Sequence, residues 1–69
     1  MKIKYFPDTD TALIEFATST VAETRELSED IYVDMDKDGR LVSMTIEHAK
    51  TAAQIKDLTF QEIAATTAA

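Results

Sequence analysis

The chain has 69 residues, a net charge of −6 and no cysteine. This length accommodates one domain with a thin hydrophobic core, and the lack of cysteine excludes disulfides, thiolate zinc sites and cysteine nucleophiles. Thirteen acidic against seven basic residues argue against a nucleic-acid partner, because phosphate backbones are bound by clustered Lys and Arg.

Alternating apolar and polar residues predict three strands in the first part of the chain. The first two cover residues 2–6 and 11–16, and they are joined by a Pro-Asp-Thr-Asp sequence that favours a turn. Lys2 and Lys4 suit an exposed edge of a sheet. The third strand, residues 21–27, is weakly amphipathic.

The clearest hairpin signal lies in the middle of the chain. Strands are predicted at residues 31–36 and 40–47, and Asp38 and Gly39 between them form the Asp-Gly sequence that is typical of tight β turns. Five consecutive strands with short connections predict an antiparallel β meander.

After His48 the spacing of apolar residues becomes helical and predicts a helical turn or two. Thr59 and Glu62 then match a capping box, which predicts a second helix. A sixth strand through Leu58 and Phe60 is the alternative. We therefore predict one α+β domain over residues 1–69: a meander at 1–48, one or two short helices within 49–66, and a frayed tail at 67–69.

Asp34, Asp36 and Asp38 precede Gly39 at alternate positions, as in the first half of an EF-hand calcium loop. The second half is missing, because position twelve of the loop is Thr45 instead of Glu, and both flanks are predicted strands. The hairpin explains the same residues as polar strand positions and a turn. The three aspartates are thus weak metal candidates, and a metal- or small-ligand-binding domain is kept as an alternative. No cofactor is predicted.

The sequence offers little for catalysis. His48 is the only histidine, and its place at a strand end favours a structural role, with the ring packed or bonded to backbone. A chain with one glycine contains neither a glycine-rich phosphate loop nor a Gly-x-Ser-x-Gly elbow. We predict that the protein is not an enzyme.

Seven stretches match a known family in order: MKIKY, PDTDT, IEF, VAETREL, VDMD, DGRLV and IEHAK. In these the chain resembles the small bacterial proteins of the domain of unknown function 2283 family. That family carries no established activity, so the resemblance transfers no catalytic residue. It implies that the Asp-x-Asp-x-Asp-Gly run belongs to the family's turn. Genes for small toxins beside some members imply an antitoxin-like role.

We predict a self-associating protein-interaction module, because a thin core without disulfides favours a homo-oligomer and the acidic balance favours a basic protein partner. No apolar run suits a signal peptide or a membrane span, which favours a cytoplasmic protein without a membrane partner. The predicted interaction surface comprises polar residues at and after the fourth and fifth strands: Tyr32, Asp34, Asp36, Ser43, Thr45, Glu47 and His48.

Overall fold

The computed structural model describes residues 1–64. One antiparallel sheet contains five strands, which are β1 (Lys2–Phe6), β2 (Thr11–Glu15), β3 (Glu23–Ser28), β4 (Ile31–Met35) and β5 (Leu41–Glu47). A single helical turn, α1 (Ala49–Ala52), follows. The five predicted strands and their antiparallel arrangement are confirmed, and the helical part of the fold is minimal.

The order of the strands corrects the predicted meander. It is β1-β2-β5-β4-β3, so that β2 pairs with β5 and β3 lies at an edge. The loop between β2 and β3 carries the chain past the β4–β5 hairpin. There, the N–H groups of Phe16 and Ala17 donate to the Val42 carbonyl at 2.8 and 3.1 Å, and the Ala22 N–H donates to the Met35 carbonyl at 2.8 Å.

The core explains this order. It lies on one face of the sheet, where fully buried Ala12 on β2 is directly opposite Ile46 on β5, which is 7% exposed. Ala49 of α1 is also fully buried in this cluster. Partly buried side chains pack around it: Tyr5, Ile14, Met44, Ala53 and Ile55. β3 has the sequence ETRELS, with Leu27 as its one apolar residue, so β3 offers β2 no comparable apolar partner, and burial favours the β2–β5 pair.

The segment after α1 departs from the prediction. No helix begins at Thr59 within the described residues, and no sixth strand forms there. The apolar side chains of Leu58, Phe60 and Ile63 are 65%, 84% and 79% exposed. A short helix is marginal in water unless one face is packed, and this segment lacks such packing.

The predicted helical boundary at residue 66 and the predicted tail at 67–69 lie outside the described residues. Across residues 1–64, no helix has the length and apolar character that a membrane crossing requires.

Candidate protein-interaction surface

The polar face of the sheet lies opposite the core face, because successive strand residues point to alternate sides. On this face Tyr32 is directly opposite Thr45, and Asp34 is directly opposite Ser43, across the β4–β5 pair. On the other side of β4, Glu26 of β3 is opposite Tyr32. The predicted polar residues of β4 and β5 are thus brought together on this face. Asp36, in the turn, is the exception.

Asp34 links three strands through its carboxylate. The Thr24 hydroxyl donates to Oδ1 at 2.5 Å, and the Ser43 hydroxyl donates to Oδ2 at 2.6 Å. These two hydrogen bonds, with that of Ser43 the stronger influence, hold the pKa of Asp34 below its usual value. Since both carboxylate oxygens accept hydrogen bonds within the sheet, Asp34 joins β3, β4 and β5.

Negative charge gathers around Tyr32 at the other end of this face. We define the acidic surface as Tyr32 together with four carboxylates that raise the pKa of its phenol: Glu26, Glu47, Asp30 and Glu29. The charges of Glu26 and Glu47 contribute most, followed by partial burial, Asp30 and Glu29. The phenol therefore stays neutral, and its ring lies beside carboxylates that attract a Lys or Arg side chain.

His48 borders the acidic surface through Asp30. Its Nδ1 lies 2.9 Å from Asp30 Oδ1, and the N–H of Glu47 donates to the Asp30 carbonyl at 2.7 Å. The hydrogen bond to Asp30, and then its charge, raise the pKa of His48.

The role predicted for His48 is corrected on one point: its ring is not packed, since the side chain is 72% exposed, and its partner is a carboxylate instead of backbone. The physical reason is its left-handed backbone, with φ of 52°. This conformation ends the alternation of β5, so that Ala49 takes the buried position next to it.

Asp36 and Asp38 lie at the far end of β4 and β5, in the hairpin turn. Asp36 Oδ1 accepts the N–H groups of Asp38 and Arg40 at 2.9 and 3.0 Å, and Gly39 supplies the positive φ of 78° that the turn requires. The length of β5 separates this turn from His48 by about 20 Å. Asp36 thus lies outside the acidic surface. Within residues 1–64, no three His, Cys, Asp or Glu side chains are placed to hold a metal ion.

A second polar cluster was not predicted from the sequence. The Tyr5 hydroxyl donates to Asp10 Oδ1 at 2.7 Å, and the Lys50 N–H donates to the same oxygen at 3.2 Å. The Ala49 N–H donates to the Asp10 carbonyl at 2.9 Å. The bond from Tyr5, more than any other influence, lowers the pKa of Asp10. Asp10 therefore ties the β1–β2 turn to α1 and has a structural role.

Glu26, Glu29 and Asp30 were also missed. Their residue types gave no signal beyond general acidity, because only the pairing of β3 with β4 brings Glu26 beside Tyr32. The sequence signal for them is a hairpin between the predicted strands at 21–27 and 31–36, with Ser28-Glu29-Asp30 as its connection.

The sheet, its single helical turn and its two unlike faces define a small antiparallel β domain. The chain belongs to the family described as "Protein of unknown function (DUF2283)", whose model matches residues 2–50. The match spans all five strands and the first residues of α1, which confirms the resemblance seen in the sequence. No curated protein and no solved structure matches the chain.

Proposed function

We propose that this protein is a non-catalytic protein-interaction module whose acidic surface binds a basic segment of a partner protein. The observation that carries the proposal is the gathering of four carboxylates around Tyr32, which raises the pKa of its phenol. Charge complementarity of this kind steers association and selects partners. The neutral aromatic ring adds a face for the stem or the cation of a Lys or Arg.

The charge of this surface is available to a partner. Elsewhere on the polar face, Glu15 is neutralised by Lys4, with Nζ 3.0 Å from Oε1. Among the described residues, no ion pair involves Glu26, Glu29 or Glu47. Asp30 is paired with His48, but a Lys or Arg bound at the other three carboxylates would not have to displace an internal cation.

The family resemblance extends the proposal to an antitoxin-like role in the cytoplasm. In this role the acidic surface covers a basic surface on a small protein encoded beside this one. The interaction would weaken with added salt, because exposed charges are screened over about 8 Å at physiological ionic strength.

A titration with a lysine-rich peptide, followed by NMR, tests the proposal. We expect shifts centred on Tyr32 and the adjoining ends of β3, β4 and β5. Combining Glu26→Gln with Glu47→Gln should weaken binding by about tenfold. The matched control combines Asp38→Asn with Asp57→Asn, which removes the same charge elsewhere. Equal losses in the two pairs would show attraction to net charge only and would overturn the proposal.

Thermal melts with calcium, magnesium or zinc distinguish the metal-binding alternative from the proposed function, because a ligand of the native state raises the melting temperature. Asp34 and Asp36 already accept hydrogen bonds from the protein, so we expect no shift. A rise in melting temperature that Asp34→Asn or Asp36→Asn abolishes would favour metal binding over the proposed function.

A further inference from the structure

We infer that β3 is a docking edge for a second copy of this chain, with the two β3 strands pairing antiparallel about a two-fold axis at Thr24. β3 is an edge of the sheet, and all six of its residues are exposed. An edge strand presents a row of unpaired backbone N–H and C=O groups that another strand can complete. This inference is independent of the proposed function.

The charges along β3 select the register. In a symmetric antiparallel pair the axis is normal to the sheet, and the residue on the axis lies opposite itself in the second copy. An axis at Glu23, Arg25 or Glu26 would place like charges directly opposite each other, which is destabilising. An axis at Thr24 places two neutral hydroxyl side chains there.

The same register makes the pairs next to the axis complementary. Within each copy Arg25 Nε lies 3.0 Å from Glu23 Oε1. With Thr24 on the axis, Glu23 also lies opposite Arg25 of the second copy, so the two ion pairs join into a cluster of four alternating charges. The next pair outward brings Ala22 opposite Glu26 of the second copy, which is neither a like-charged nor an opposite-charged pair, and the irregularity between Glu26 and Ser28 ends the regular pairing there. Two symmetry-related pairs of opposite charge therefore support this register.

The opposite edge does not suit a second copy. β1 has the sequence KIKYF, whose only charges are those of Lys2 and Lys4, both exposed. Pairing β1 with itself would bring only positive charges together. Lysines on an edge strand are a common protection against strand addition. β3, which carries both signs of charge, is thus the edge that complements itself.

The geometry has a consequence for the polar face. An axis normal to the sheet keeps each face on its own side, so the acidic surfaces of the two copies lie on the same side of one continuous sheet. From the strand spacing and the rise per residue, the two Tyr32 side chains are about 20 Å apart. The dimer would present two acidic surfaces to one partner.

Cysteine cross-linking tests the register, because the chain has no native cysteine. With a short bismaleimide, Thr24→Cys should give a covalent dimer, since residue 24 faces its own copy. Glu26→Cys is the matched control on the same strand and face, and its two thiols would be about 14 Å apart. Equal cross-linking of the two variants, or none with Thr24→Cys, would overturn the register.

Light scattering across a wide range of concentrations tests the charged pairs without a cysteine. Arg25→Glu should weaken the dimer by about tenfold, because both charged pairs become like-charged. Adding Glu23→Arg restores opposite charges across the axis and should restore the dimer. A wild-type chain that stays monomeric, forms larger open assemblies, or ignores these changes would overturn the inference. Circular dichroism checks that each variant keeps its sheet.

Discussion

The half of the sheet around β2 and β5 and the half around β3 are stabilised by different contacts. On the side of β2, β5 and α1, apolar side chains are buried around Ala12, Ile46 and Ala49, and hydrogen bonds to Asp10 tie the first turn to the helix. In β3, no residue is buried. That strand is held by its backbone ladder to β4 and by the hydroxyl of Thr24 on Asp34.

This difference shows that a domain of such size concentrates its core instead of spreading it. Within residues 1–64 the buried hydrophobic side chains are few: Ala12, Val33, Val42, Ile46 and Ala49. A core this thin leaves one strand to be stabilised by backbone pairing and polar contacts. The exposed side is therefore where contacts with other molecules are available.

The largest expected effect is a loss of stability from a substitution in the buried half of the sheet. Ile46→Ala should lower the free energy of unfolding by about 3 kcal/mol, because it removes apolar contacts and leaves a cavity against Ala12 and Ala49. Urea denaturation measures the change. Leu41→Ala, on the same strand but at a side chain that is 47% exposed, should cost much less. Equal costs would show that the core is not concentrated as described.

The next effect tests the polar link to β3. Thr24→Val should cost about 1 kcal/mol, since it leaves Asp34 Oδ1 without the hydrogen bond that the Thr24 hydroxyl donates at 2.5 Å. Ser19→Ala, in the exposed loop before β3, is the control. Native-state hydrogen exchange should show a larger acceleration in β3 than in β2 for the Thr24 variant. Uniform acceleration across the sheet would contradict the separation of the two sides.

Lowering the pH should destabilise both halves of the sheet. The folded pKa values of Asp10 and Asp34 are lowered, so their stabilisation is present above the unfolded value, about 4. It is lost as pH falls through the folded pKa. Denaturation midpoints at a series of acidic pH values measure this loss. Asp34→Asn should flatten the pH dependence in part, and an unchanged profile would argue against the link through Asp34.

The smallest expected effect concerns His48. Its folded pKa is raised by Asp30, so the stabilisation is present below its ordinary value of about 6.5 and lost as pH rises through the folded pKa. The effect should be slight because the side chain is 72% exposed. NMR titration of the imidazole should give a lower pKa in Asp30→Asn than in the wild type. An unchanged pKa would contradict the pair.

Local patterns predicted the strands well and the C-terminal segment poorly. Strand alternation at Ile31, Val33 and the Asp38-Gly39 turn depends on neighbouring residues only, so it was readable in the sequence. The capping box at Thr59 was equally local, but a helix there also needs an apolar surface to pack against. Leu58 and Phe60 find no such surface among the described residues.

The candidate surface was predicted from the sequence only in part. Alternation placed Tyr32, Asp34, Ser43 and Thr45 on one face, and the register agrees with that placement. Asp36 was separated from them because its carboxylate caps the turn. The carboxylates of β3 and its turn could join the set only once the partner of that strand was known.

The sequence by itself determined the five strands, the hairpin at Asp38-Gly39 and the acidic character of the chain, because periodicity, turn residues and charge are local properties. The tertiary structure decided that β2 pairs with β5, that β3 becomes an exposed edge and that Glu26 and Glu47 meet around Tyr32. These outcomes depend on which apolar faces can be buried together, and that is a property of distant residues such as Ala12 and Ile46.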